Sequence, residues 1–144
     1  MGTECSISLA HLGLKERWMF RQTILVVSPD HDHSRRLREC LEKAGYRVLV
    51  VGLGLSALEM IQNRAPDLVL FDWKLPDLNS LAVIRQIRAG ESTMQLPIIL
   101  KGIEMVEEDL ILGLEAGADL CLKEPFHPEV LIARVRALLR RSRA

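Results

Sequence analysis

Five short apolar, β-branched runs alternate with five amphipathic stretches of helical length, which predicts an α/β fold: a (βα)5 doubly wound parallel sheet covered by helices on both faces. Turn residues fall where this alternation needs them, with Gly45 after the first helical stretch, Pro66-Asp67 before the third strand and Gly117 after the fourth helix. The third run, LVLFD, stops on an acid, Asp72. Ligands of such sheets sit outside the carboxyl ends of the strands, so position alone nominates this carboxylate.

Taken in order, the strands read as Ile24–Val27, Arg47–Val51, Leu68–Phe71, Pro97–Leu100 and Leu120–Lys123. The helices read as 32–44, 55–64, 80–89, 106–116 and 128–141. Residues 1–22 precede the repeat as a leader; HLGLKERWMF within it reads either as a short amphipathic helix or as disordered chain, and Met19 is an alternative start. Residues 23–141 carry the repeat, and 142–144 begin a linker or tail.

At 144 residues, about half of them apolar, the chain suits one domain with its own core. Lys+Arg and Asp+Glu both count 19, which leaves no overall basic excess to argue for nucleic-acid binding. Cys5, Cys40 and Cys121 are odd in number and have no CxxC or Cys/His spacing, against a disulfide framework or zinc site. No apolar stretch reaches the ~18 residues of a membrane span, and the N-terminus lacks a signal-peptide pattern. The expectation is a cytoplasmic protein with no membrane contact.

The order ILVV, AGYRV, PDLVLFDWKLPD, LPIIL, GLEAGAD and EPF resembles the receiver domain of two-component response regulators over residues 23–141. The last helix, LIARVRALLRR, is similar to the end of receivers in the OmpR/PhoB branch, where a DNA-binding domain follows. The resemblance implies a flavodoxin-like sheet with strand order 2-1-3-4-5. It also implies a signalling role in which a histidine kinase supplies a phosphoryl group to an aspartate. Such transfer needs a divalent cation and a fixed ammonium to neutralise the phosphoryl oxygens.

By this resemblance Asp72 holds the phosphoacceptor position and Lys74 the backbone-carbonyl position of the metal site. The acidic pair that holds Mg²⁺ becomes Ser28 and Pro29, the hydroxyl position becomes Gly102, the lysine before the proline becomes Glu124, and the aromatic switch becomes Cys121. Only the acceptor survives. Losing two acids predicts weak or absent Mg²⁺ binding, since this hard cation wants oxygen ligands in near-octahedral geometry. Asp30, one position late, reads as the N-cap of the first helix, with a metal ligand beside Asp72 as the competing reading.

Glu124 reverses the charge that would face a phosphoryl group. Lys123 falls on the opposite face of the strand, and Lys74 reads either as a built-in cation over the empty metal position or as a solvated side chain. Glu124-Pro125 is a candidate cis peptide, as the family's Lys-Pro commonly is. The DHDH stretch, Asp30 to His33, fans outward at a helix start and reads as a polar first turn rather than a transition-metal cluster.

Active receivers of that branch dimerise through the fourth helix, fifth strand and fifth helix. Glu115 and Arg136 match one of the ion pairs, while Asp119, Arg134 and Arg141 keep single charges. Leu110 and Val130 replace another ion pair, which predicts an apolar seam, extended by Leu112 and Leu120, that needs no phosphorylation. The alternative is that these leucines pack the chain's own core. Arg134, Arg136, Arg140, Arg141 and Arg143 read as a solvated basic face.

The sequence therefore predicts a non-enzymatic, atypical receiver working as a phosphorylation-independent interaction and dimerisation module in transcriptional control, with DNA reached only through a missing effector domain. A second reading keeps Asp72 as a working phosphoacceptor with Asp30 completing an off-pattern Mg²⁺ site. A third has the cleft sense a small molecule.

Overall fold

A computed structural model describes residues 21–143. Its elements are β1 (Thr23–Val27), α1 (His31–Lys43), β2 (Arg47–Val51), α2 (Gly54–Arg64), β3 (Leu68–Asp72), α3 (Ser80–Ala89), β4 (Ile98–Gly102), α4 (Glu107–Ala116), β5 (Leu120–Lys123) and α5 (Pro128–Arg143). The strands form one parallel sheet in the order β2-β1-β3-β4-β5. The reading of 1–22 as a helix or disordered leader falls, up to residue 20, outside the described residues.

Side-chain alternation splits the core into two layers. Leu25, Val27, Val69, Phe71, Ile98 and Leu100 point towards α2, α3 and α4. Ile24, Val26, Leu68, Leu70 and Ile99 point towards Leu37 and Leu41 of α1 and Leu131, Val135 and Leu139 of α5. These strands bury both faces, which is why they read as continuous apolar runs. Each fully buried aliphatic side chain contributes ~1.5–3 kcal/mol.

Three boundaries differ from expectation in ways that matter. β3 includes Asp72, β4 runs on through Lys101 to Gly102, and α5 continues through Ser142 and Arg143, where a linker was expected. The Glu124-Pro125 bond is cis. Among the described residues no helix is long and apolar enough to cross a membrane.

Candidate functional site

The carboxyl ends of β1, β3, β4 and β5 present Ser28, Asp72, Lys101 and Glu124. Each lies two residues beyond a side chain of the α1/α5 layer, namely Val26, Leu70, Ile99 and Leu122. Strand periodicity therefore turns all four to the same face. Asp72 and Lys101 are also register partners on adjacent strands.

The four form one polar group. Ser28 Oγ donates to Asp72 Oδ2 at 2.7 Å. Lys101 Nζ pairs with Asp72 Oδ1 and lies 3.6 Å from Glu124 Oε1. Lys101 is 0% exposed, while Asp72 and Glu124 keep 16% and 11% side-chain exposure. A fully enclosed ammonium is tolerated because two carboxylates flank it. Glu124 Oε1 also lies in ion-pair contact with His33 Nε2 of α1.

Of the two readings of Lys74, the structure matches the solvated side chain and not the built-in cation. Lys74 lies beyond the end of β3, is exposed, and joins no ion pair or hydrogen bond among the described residues. The cation at Asp72 instead comes from the neighbouring strand, where the ladder continues past the apolar run and parity directs the side chain at Asp72. Lys123, exposed on the other face of β5, does not reach the site.

Asp30 is the N-cap of α1, its Oδ1 accepting from the His33 N–H at 3.1 Å; this bond holds its carboxyl below the usual aspartate value. Pro29 lines the cleft over Lys74 and Gly102 without offering a side-chain ligand. Gly102 is a site of close approach: a Cβ there would stand 2.7 Å from Trp73 Cβ and 3.2 Å from Met105 Cγ. Trp73 is held in place by its N–H donating to Lys101 O at 2.6 Å and by Ser80 Oγ donating to Trp73 O at 2.7 Å. Trp73, fixed through its backbone, therefore leaves no room for a side chain at Gly102 in this arrangement.

Cys121 lies under α4, where a Cβ on Gly113 would meet its Sγ at 2.8 Å, and burial pushes its thiol up to about 11.

The donor set does not suit Mg²⁺. The oxygens of Asp72 are taken by an ammonium and a hydroxyl, Asp30 caps a helix, and no group of three metal-ligating side chains gathers among the described residues.

Two functional-looking residues escaped the sequence reading besides Lys101. His33 sat in a stretch read only as a polar first turn, yet it is the α1 residue that reaches Glu124. Asp77 accepts from the Gly54 and Leu55 N–H groups at 2.8 and 3.0 Å, which lowers its carboxyl pKa and caps α2 from the β3–α3 loop.

On the opposite flank, Leu110 and Leu120 are half-buried against the core, so the monomer already uses them. Ile111, Leu112, Leu114 and Val130 are the exposed apolar side chains, at 55%, 43%, 49% and 43%. Asp119 is occupied within the chain by Arg88 at 2.9 Å and the Ile98 N–H at 2.8 Å. Glu115, Arg134, Arg136 and Arg141 are exposed.

Residues 24–136 match the response regulator receiver domain family. The chain belongs to that family. It is 37% identical over 124 residues to the phosphate regulon transcriptional regulatory protein PhoB of Pseudomonas aeruginosa, covering 86% of this chain and 54% of that protein. With the DNA-binding response regulator MtrA of Mycobacterium tuberculosis it shares 41% over 122 residues, 85% of this chain and 52% of that one. It therefore spans about half the length of these relatives. Among solved structures, the Francisella response regulator 1452 receiver domain superposes with a TM-score of 0.78 at 27% identity, covering 85% of this receiver and 99% of that one.

Proposed function

We propose that this receiver is an atypical one that signals by protein contact without phosphorylation of Asp72. The observation that carries this reading is Lys101, whose ammonium pairs with the acceptor carboxylate from within the sheet while Ser28 engages its other oxygen. The positive charge that a metal brings in a typical receiver is here supplied by Lys101, while Glu124 would repel phosphoryl oxygens. The module is not an enzyme. The relatives named for transcriptional regulation and DNA binding support a role in transcriptional control through a DNA-binding partner domain.

Self-association through α4, β5 and α5 is the contact we infer, with Ile111, Leu112, Leu114 and Val130 as its apolar part. Leu112→Arg and Leu114→Arg should each turn a concentration-dependent dimer into a monomer by light scattering. An unchanged dimer in both removes this surface from the reading.

The deciding test of the cleft is intact mass after acetyl phosphate and Mg²⁺, beside Asp72→Ala, with Trp73 fluorescence followed through a Mg²⁺ titration. The expected result is no adduct and no Mg²⁺-dependent change. An adduct absent from Asp72→Ala establishes the second reading, a working phosphoacceptor served by a histidine kinase, which the 16% exposure of Asp72 favours.

A further inference from the structure

Basic and acidic side chains balance over the whole chain, but the fold separates them. α1 and α5 lie side by side over one layer of the core, and the hollow between them is bordered by Arg36 and Cys40 of α1 and by Pro128 and Leu131 of α5. Helical spacing carries the α1 flank on to Lys43, which lines a surface hollow together with Arg36 and Cys40. On α5 the matching flank leads to Arg136 and Arg140, one turn apart, which border a notch with Tyr46 just beyond α1. Both helices run back from the carboxyl ends of parallel strands, so Lys43 and Arg140 mark the two rims at the end remote from Asp72.

All four cations are exposed, and none makes an ion pair or a hydrogen bond among the described residues. Elsewhere on α1, Arg35 pairs with Asp32 at 3.6 Å and Arg38 with Glu42 at 3.4 Å. The acids that come near the row are Glu39, on the α1 rim, and Asp30, at the cleft end towards Arg36. Four cations against two acids leave a positive strip. Three of the four are arginines, whose planar forks match phosphate oxygens. A duplex offers one phosphate per ~3.4 Å of each strand, so Arg136 and Arg140, ~6 Å apart along α5, fall on different phosphates of a strand laid in the hollow. Among the described residues the rims carry no exposed large apolar side chain to enter a lipid surface.

We propose that the hollow between α1 and α5 holds the sugar-phosphate backbone of double-stranded DNA without reading its bases. Arg136 and Arg140 take phosphates from the α5 rim, and Arg36 and Lys43 from the α1 rim. Such a contact positions the receiver on a duplex and carries no sequence information. The inference goes beyond the contact role proposed above and does not require it, because Ile111, Leu112 and Leu114 stand on α4, over the other face of the sheet.

The test is fluorescence anisotropy of a labelled duplex of ~20 base pairs titrated with the full chain at several salt concentrations. The duplex should bind at about 10–100 µM in ~20 mM salt, and log affinity should fall against log salt with a slope of about −3.5, as four phosphate contacts require. Lys43→Gln combined with Arg140→Gln, one change on each rim, should flatten that slope by about 2 and weaken binding about tenfold or more. Glu39→Gln, which removes the acid of the α1 rim, should tighten it. Arg64→Gln combined with Arg85→Gln makes the same charge change on α2 and α3, over the other layer, and should leave binding within about twofold. No binding up to ~200 µM, a slope shallower than about −2, or an equal loss in the two paired variants overturns the proposal. So does equally effective displacement of the duplex by polyglutamate at matched charge, which would assign the strip to an acidic protein. Lys43 and Arg140 lie off the α4 surface, so failure here is separable from failure of the contact reading.

Discussion

Lys101 and Asp72 are register partners on adjacent strands, and the lysine, with no exposed surface, closes an ion pair on the acceptor carboxylate. Removing one member of a buried pair leaves the other uncompensated. Lys101→Met should therefore destabilise the domain by about 3 kcal/mol, read from urea unfolding, because Asp72 and Glu124 then face each other without a cation. Adding Asp72→Asn should recover part of the loss. Additive losses in the double variant would mean that the pair is not energetically coupled.

Restoring the family's hydroxyl at Gly102 should fail by itself. A Cβ would sit 2.7 Å from Trp73 Cβ, an atom fixed to the backbone, so Gly102→Thr should cost about 1–3 kcal/mol through overpacking. Pairing it with Trp73→Gly relieves that clash at the cost of Trp73's own packing, so thermal unfolding should show Gly102→Thr costing less in a Trp73→Gly background than with Trp73 intact. An unchanged melting temperature in Gly102→Thr alone would contradict the close approach.

Asp77 links stability to pH. Its carboxyl is held below its usual value by the Leu55 and Gly54 N–H groups, so its contribution is present above the unfolded aspartate range, about 3.9, and is lost as pH falls through the folded value. Asp77→Asn should lower the melting temperature at pH 7, and the difference should shrink as pH falls below the ordinary aspartate range. A difference that keeps its size would show that charge is not what caps α2.

Cys121 should be a slow thiol. Burial raises it to about 11 against an ordinary 9.0, which cuts its thiolate fraction at neutral pH about a hundredfold. Iodoacetamide at pH 7.5, followed by peptide mass analysis, should leave Cys121 almost unmodified, with the rate climbing steadily to pH 10. Rapid alkylation at pH 7.5 would indicate that α4 lifts from β5.

Much of this was legible in the sequence because period-two burial and turn residues are local signals. Asp72 announced itself as an acid closing an apolar run. Lys101 did not, because the apolar run of β4 ends at Leu100 and a lysine beyond it looks like a strand end; the hydrogen-bonded ladder continues, and only strand pairing reveals the acid opposite. Asp77 was hidden for another reason: it caps a helix that begins 23 residues earlier in the chain. His33 was hidden because a helix start is polar whether or not one of its side chains turns inward.

Arg88 of α3 has a wider consequence. Its guanidinium donates to the carbonyls of Met94, Leu96 and Gly117 and to Asp119, whose carboxylate in turn receives the Ile98 N–H. One side chain thus fastens the end of a helix to the entrances of two strands at the edge of the sheet remote from the acidic cleft. Opening any one of these segments releases hydrogen bonds in the other two, so α3, β4 and β5 should exchange their amide protons as a single cooperative unit, while α1 and β2 open on their own schedule.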